Sequence, residues 1–559
     1  MTVLETPVLI VGGGPAGLAL AIDLAYHGQR STLVEADAGT ALVLLAKAGG
    51  LNARTLEFCR RWGFADRVHD CGLPPDYPRD TVHVTALDGH FIVRDPLPSA
   101  RDRPPTPGSP EVFAKCPQHI FDPLLAEKAQ ASGLADIRYG HRLESFTQDP
   151  EGVTAQVTAL ATGEAVTIRV RYMVGCDGSA SQVRKELGIP FEGKTLGFSV
   201  SAMLRIDRLE QHHDWGRAER FMFIGPHGAW ANMTSMDYQQ LWRFTLMGTM
   251  DKASSDSLDV LGEVRRGLGP DIPFEHVRTM PWRRSESTAR TFRSGRVLLA
   301  GDAAHTTSPT GGHGLNTSLG DVVGLGWALD AVLRGWGGEG LLDAYAHERR
   351  PVAMRNSAAS TRNYLNWVGG CDYSRVLEET PAGQAARDAV GEHMLKMLYV
   401  EWHSLGIGLG YRYEGSPAIV DDGTPETPDE TSVYVQTAKP GHRAPHAWLA
   451  DGRSTIDLFG HGLVLLRFGG EDLDLGPFRT AAAARGIPLS VVDIADPAIA
   501  GLYERRLVLV RPDGHVGWRS DAPPADPDQV LRVVAGLRPP PRARQDEVDT
   551  GSPARTRRV

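Results

Sequence analysis

Two glycine-rich stretches hold the residue types and spacings that could do chemistry. Near the start, "VLIVGGGPAGLALAIDLAYHG" sets Gly12-x-Gly14-x-x-Gly17 between an apolar run and a helical pattern, with Gly13, Pro15 and Ala16 in the gaps. Gly12 allows a tight turn, Gly14 lets a pyrophosphate approach the backbone, and Gly17 lets the helix pack on the strand. The helix then points free N–H groups at the phosphates. "STLVEA" forms the next strand and ends on Glu35, 23 residues after Gly12. That is the interval for an acid that accepts from ribose hydroxyls. Without strand, helix and acid in register, the glycines would mark only a tight strand-to-helix turn.

The second stretch, "GDAAHTTSPTGGHGLN", runs from Gly301 to Asn316 behind the apolar "RVLLA". Carboxylates, prolines and glycines are poor core material, so an acid and bare backbone are wanted at one place. A third strand end, "RYMVGCDGSASQVRKELG", carries Asp177-Gly178 before another helix. Asp177 or Asp302 taken singly also suits a turn former or a helix cap. His305 and His313 invite a catalytic role, and they also read as loop residues beside a cofactor.

The elements around these sites are strands followed by helices, which argues an α/β fold. At 559 residues the chain is too long for one core. Its net charge of −9 argues against nucleic acid as the main partner. Five scattered cysteines without C-x-x-C spacing support neither a disulfide framework nor a zinc site, and no metal site is expected. The N-terminus has no leader pattern, and Val8–Ala25 reads as strand, turn and buried helix rather than a membrane span, so a cytoplasmic location is expected. No G-x-S-x-G elbow or H-E-x-x-H motif occurs, and His212-His213-Asp214 reads as a solvated turn.

The three sites, in this order, resemble the single-component FAD-dependent aromatic hydroxylases of the para-hydroxybenzoate hydroxylase type. "LNARTLEFCRRWG" (Leu51–Gly63) and "CPQHIFDPLLAEKA" (Cys116–Ala129) match further family segments, and the likeness spans about residues 5–400. It implies FAD as cofactor, NAD(P)H and O2 as co-substrates, and a small phenolic or polycyclic aromatic substrate hydroxylated through a flavin C4a-hydroperoxide. It implies that Lys47, Arg54, Gln118 and Leu143 contact the FAD. Asp177 and Gly301 belong to its middle and second FAD motifs, and Asp302 takes the ribitol hydroxyls. Pro309 fixes the loop near the isoalloxazine, and Gly311, Gly312 and Gly314 lay the backbone against the ring. Leu315 and Asn316 open a helix that begins near Asn316 and points at the pyrimidine end. Members often carry His-Pro just before the basic residue, whereas this chain has Leu45-Ala46, so no role passes to that histidine. A Baeyer–Villiger or epoxidising relative would use the same cofactor site. A flavoprotein-like scaffold without activity is the reading outside enzymes.

The implied architecture is a Rossmann-like FAD-binding domain interleaved with an antiparallel-sheet substrate domain, plus a C-terminal thioredoxin-like α/β domain. The boundaries are 1–180 for the FAD-binding part, with substrate-domain insertions near 75–115, then 181–285 for the substrate sheet and 286–415 for the completion of the FAD domain. A linker at 416–440, the thioredoxin-like domain at 441–537 and a disordered tail at 538–559 follow. Alternating strands at 198–249 would roof a dry pocket, with Met222, Trp230, Met233, Trp242 and Phe244 around an aromatic ring; each also suits plain core. "DPLPSARDRPPTPGSPE" (Asp95–Glu111) holds six prolines and reads as a mobile rim or an inert loop. No cysteine follows Cys371, which excludes thiol–disulfide exchange from the C-terminal domain. That domain is expected to serve structure or a homodimer and to be dispensable for flavin chemistry.

Overall fold

Val8, Leu9 and Ile10 are β-branched or apolar and have no solvent exposure. A strand buried on both faces belongs in the middle of a parallel sheet. The computed structural model, which describes residues 3–40, 48–252, 257–470 and 472–537, places it there. Five strands run parallel in the order Val297–Leu299, Glu164–Gly175, Val3–Val11, Ser31–Glu35, Ala135–Tyr139. Val11 lies beside Gly175, and Gly175 beside Leu299. This register brings Gly12, Asp177 and Gly301 out at one edge, the carboxyl end where α/β sheets bind ligands. Lys47, Leu45-Ala46 and the tail at 538–559 lie outside the described residues.

Helix Pro15–Tyr26 packs beside helix His313–Arg334, which in turn packs on helix Gly340–Val368. The second of these begins three residues before the expected Asn316. Gly312 takes a left-handed φ of 68° as its N-cap, a conformation glycine adopts without strain.

A second eight-stranded sheet runs His305–Thr306, Glu275–Ala289, Phe191–Arg205, Leu241–Thr249, Gly228–Ser235, Arg220–Gly225, Thr81–Val84, Phe91–Asp95. Residues 81–95 thus cross from the FAD-domain segment into the roof. So does the stretch after Gly301, since Thr306 pairs with Ser287 and His305 with Thr288. Side chains alternate between the two faces of this sheet. Phe221, Phe223, Met233, Trp242 and Phe244 lie on the outer face under helix Val260–Leu268. Register places Met222, Asn232, Thr245 and Ser201 on the inner face, toward helices Gly340–Val368 and Pro381–Trp402.

The C-terminal sheet has the order Leu489–Ile494, Leu463–Phe468, Leu507–Val510, Val516–Ser520. The first two strands are parallel across helix Gly476–Ala484, and the last two form a hairpin. Helix Pro527–Val534 starts as its sequence dictates, with Asp526 accepting from Gln529 N and Pro527 at the first position.

The linker and the proline-rich segment are fastened to the rest. Val420 N donates to Gly517 O, and Arg355 pairs with Asp429. Ser109 Oγ donates to Glu57 Oε1 at 2.6 Å, and Glu111 pairs with Arg60 and His69. The stretch expected to be a mobile rim or inert loop is therefore tied down at its 109–111 end. Its prolines leave it without regular structure, but its polar groups are spent on the interface beneath it.

That interface joins the C-terminal sheet to the first sheet and its helices. Leu465, Leu509, Trp518 and Leu531 belong to one apolar cluster with Leu18, Leu329 and Leu342. Buried Glu57 accepts from Arg54 at 2.7 Å and from Arg443 Nε at 3.1 Å. Arg511 holds Glu348 through two bonds of 2.6 and 2.8 Å. Burial pushes the Glu57 carboxyl up, but the two guanidiniums outweigh it and hold it at about 2. Removing one partner of a buried pair costs about 3–5 kcal/mol, because the other charge stays buried. A chain ending at Ser416 is accordingly expected to give little soluble FAD-loaded protein, and Glu57→Gln to lose stability of that order. Soluble yield, FAD-to-protein absorbance and thermal unfolding measure both. A soluble, flavin-loaded truncation would restore the expectation that the domain is dispensable.

Candidate active site

The first glycine loop is built by close approaches. Gly12 has φ +109°, and a Cβ there would lie 2.4 Å from Cys176 O. A Cβ on Gly17 would lie 2.0 Å from Gly12 O. A Cβ on Gly14 would meet nothing within 4 Å, so that position opens on free space. Helix Pro15–Tyr26 has no side-chain cap. Its first-turn N–H groups therefore lack a carboxylate or hydroxyl, the condition under which a helix start receives an anion. Glu35 Oε2 accepts from Gly13 N at 2.6 Å, and Oε1 accepts from Asp37 N at 2.8 Å.

Gly301 sits against this loop. Its φ is +63°, and a Cβ there would lie 2.8 Å from the Ala16 Cβ. Its N–H donates to Asp321 Oδ2 at 3.2 Å. The same oxygen accepts from His305 Nε2 at 2.7 Å, and Oδ1 accepts from Arg349 Nε at 2.8 Å. Asp321 has no solvent exposure. Burial pushes its carboxyl up, but His305 and Arg349 outweigh that and hold it below the ordinary range. Asp302, one residue on from Gly301, is exposed and has no side-chain partner among the described residues. It is a carboxylate held out beside a glycine cradle.

Pro309 is exposed, and Gly311 and Gly312 have φ values of +87° and +68°. Gly314 follows in the first turn of helix His313–Arg334, which also lacks a side-chain cap. Leu315 packs against the main core. His305 is committed to Asp321. His313 is buried, and burial, then Arg355, push its ring down to about 4. Neither histidine is a free general base.

Several expected cofactor contacts also make bonds within the protein. Asn316 Oδ1 accepts from Asn52 N (2.9 Å) and Thr55 Oγ1 (2.7 Å), and its Nδ2 donates to Gly50 O (3.0 Å) and Gly312 O (2.7 Å). It stitches helix His313–Arg334 to the 50–55 segment. Arg54 donates to Glu57 and to Asp513 O, so its guanidinium faces the C-terminal domain. Asp177 accepts from Ser181 Oγ and Val183 N, the capping role that its sequence also allowed. The Leu143 side chain is core, and Gln118 Nε2 donates to Asp122.

The roof corrects the expected substrate pocket. Trp230, Met233, Trp242 and Phe244 belong to the outer core under helix Val260–Leu268, and only Met222 faces inward. The reason is the two-residue period: the polar alternates Arg220, Asn232, Thr234, Arg243 and Thr245 take the inner face. Arg220 pairs with buried Glu401 at 3.0 Å, and Glu401 also accepts from Trp367 Nε1 at 2.7 Å. Asp321, Arg349 and Arg284 were missed altogether. Their signal was an acid inside the apolar "SLGDVVGLG" and cations in "HERRP" and "PWRRSE".

Residues 5–360 match the family model described as an FAD binding domain, and residues 437–537 match the aromatic-ring hydroxylase C-terminal model. The chain is 34% identical to tetracenomycin B2 monooxygenase-dioxygenase of Streptomyces olivaceus, across 95% of this chain and 98% of that one. It is 30% identical to phenol 2-monooxygenase of Pseudomonas sp. (strain EST1001), across 95% and 92%. The rebeccamycin biosynthetic enzyme RebC, solved with reduced flavin, superposes with a TM-score of 0.89 at 38% identity, over 96% of this chain and 100% of that one. The chain belongs to the FAD-dependent aromatic hydroxylases. The open space at Gly14, the two uncapped helix starts and the unengaged Asp302 carboxylate fit that cofactor. Among the described residues of this hydroxylase, no helix is long and apolar enough to cross a membrane, and no group of three potential metal ligands gathers.

Asp302→Ala removes an exposed group, so the apo protein should keep its stability within about 0.5 kcal/mol. FAD binding should weaken at least about tenfold, since a lost hydrogen bond to a charged group is worth about 1.5–3 kcal/mol. Calorimetry of the apo variant and FAD titration check this. Unchanged affinity would remove Asp302 from the cofactor site.

Proposed function

We propose that this enzyme hydroxylates a fused or multi-ring phenol with NAD(P)H and O2. One oxygen atom enters the ring, the other leaves as water, and NAD(P)H supplies the two electrons. Bound FAD supplies the electron transfer and the oxygen chemistry. The observation that carries the proposal is the direct join between the flavin loop and the roof, through the Thr306–Ser287 and His305–Thr288 pairs. A substrate held under the inner face of that sheet lies next to the loop that receives the cofactor.

The residues divide the work. Gly12, Gly14 and the start of helix Pro15–Tyr26 take the pyrophosphate. Glu35 takes the adenosine ribose, exchanging its bond with Gly13 N. Asp302 takes the ribitol. The N-terminus of helix His313–Arg334 faces the pyrimidine end, where a helix start stabilises negative charge by roughly 0.3–2 kcal/mol. Asn232 and Thr234 give the inner face of the roof polar groups, which suits an oxygen-rich ring system better than a bare hydrocarbon. The relatives act on aromatics of this kind by name: a tetracenomycin and a phenol.

The test is NAD(P)H oxidation at 340 nm with phenols, naphthols and polycyclic hydroxyquinones, with product and peroxide quantified in parallel. Productive substrates should accelerate oxidation at least about tenfold, about 1.4 kcal/mol off the barrier. Hydroxylated product should nearly match the NAD(P)H consumed. No stimulation by any aromatic, with lactones formed from cyclic ketones, would replace this reading by the Baeyer–Villiger one.

A further inference from the structure

Arg284 is 2% exposed, on the strand Glu275–Ala289 of the roof. Its guanidinium carbon lies 4.2 Å from the Tyr364 ring centroid and 4.9 Å from that of Trp282. Nη1 donates to Ser308 Oγ at 2.8 Å and to Thr310 Oγ1 at 3.2 Å, the hydroxyls on either side of Pro309 in the flavin loop. Nε is buried with no acceptor, and Nη2 has no bonded partner among the described residues.

Comparison with the other deeply buried arginines isolates it. Arg349 pairs with Asp321, Arg443 with Glu57, and Arg511 with Glu348 and Asp513. Arg284 alone of these four has no carboxylate within ion-pair distance among the described residues. An arginine does not shed its proton in a protein. Burial pushes Arg284 down to about 10, with Tyr364 and Glu401 pulling back up, so it remains a cation at neutral pH. Aromatic faces and hydroxyls soften the cost of that buried charge without neutralising it. The free Nε–Nη2 edge is the side of a guanidinium that fits the two oxygens of a carboxylate.

We infer that Arg284 is the anion seat of the substrate pocket and that the aromatic substrate carries a carboxylate, which its Nε–Nη2 edge binds beside the flavin loop. This rests on the hydroxylase reading and narrows its substrate class to aromatic acids. Ser308 and Thr310 orient the guanidinium, and Tyr364 and Trp282 wall the acid end of the ring.

The test uses the full-length, FAD-loaded enzyme and matched probes: 2-naphthoate against 2-naphthamide, 1-hydroxy-2-naphthoate against its amide, and salicylate against salicylamide. Binding is read from perturbation of the flavin absorbance and from tryptophan fluorescence. In the wild-type enzyme at least one acid should bind tenfold or more tighter than its amide. Arg284→Met should bring the pair within about twofold while the amide's affinity moves little, and Arg284→Lys should restore part of the preference. No acid preference in the wild-type enzyme, including no binding of any acid, overturns the inference without needing a variant. A tenfold preference surviving in Arg284→Met also overturns it. Amides that stimulate NAD(P)H oxidation as well as their acids would sink the anion seat and leave the hydroxylase. Acid-selective binding with no stimulation by any aromatic would sink the hydroxylase and leave the seat.

Discussion

The Asp321 carboxylate is the constraint on which the cofactor edge of this enzyme depends. It is wholly buried, yet it binds a backbone N–H, an imidazole and a guanidinium at once. Gly301, His305, helix His313–Arg334 and helix Gly340–Val368 are thereby fixed to one point. Removing one partner from such a cluster leaves a buried charge without compensation. The Gly301 turn can therefore stay thin, with glycine backbone and an exposed acid, because its stiffness comes from behind. Asp302 is free to meet a ligand because Asp321 carries the structural load.

The same logic runs on into the C-terminal domain. Arg349, held by Asp321, also donates to the Thr317 carbonyl and reaches Tyr413 OH at 3.4 Å. The Tyr413 ring lies 4.1 Å from the His515 ring and 5.3 Å from the Arg511 guanidinium, which closes on Glu348 of the FAD domain. Glu57, between Arg54 and Arg443, makes a parallel clasp. A thioredoxin-like fold without cysteines thus acts as the outer wall of the flavin domain, by shared core and by charge.

What the sequence made legible was local or periodic. The strand ends, the glycine spacing and the Asp526-Pro527 helix start each depend on residues one turn apart. The roof was harder, because both of its faces are covered. Alternation separated Trp242 and Phe244 from Arg243 and Thr245, but the usual rule that apolar residues face the site inverts here, where helix Val260–Leu268 takes the apolar side. The family resemblance assigns Arg54 and Asn316 to the cofactor, and it gives no sign of the bonds they make within the protein, to Glu57 and Asp513 for one and to the 50–55 segment for the other. The Glu57–Arg443 pair spans 386 residues and leaves no local signal.

The most direct test of this account is a double-mutant cycle of Asp321→Asn and Arg349→Met, read by FAD affinity and by thermal unfolding of the apo protein. The account predicts that each single variant loses stability and at least tenfold in FAD affinity, and that the double variant is little worse than Asp321→Asn alone, since both substitutions break one cluster. Wild-type FAD affinity and stability in Asp321→Asn, or fully additive losses in the double variant, would contradict it.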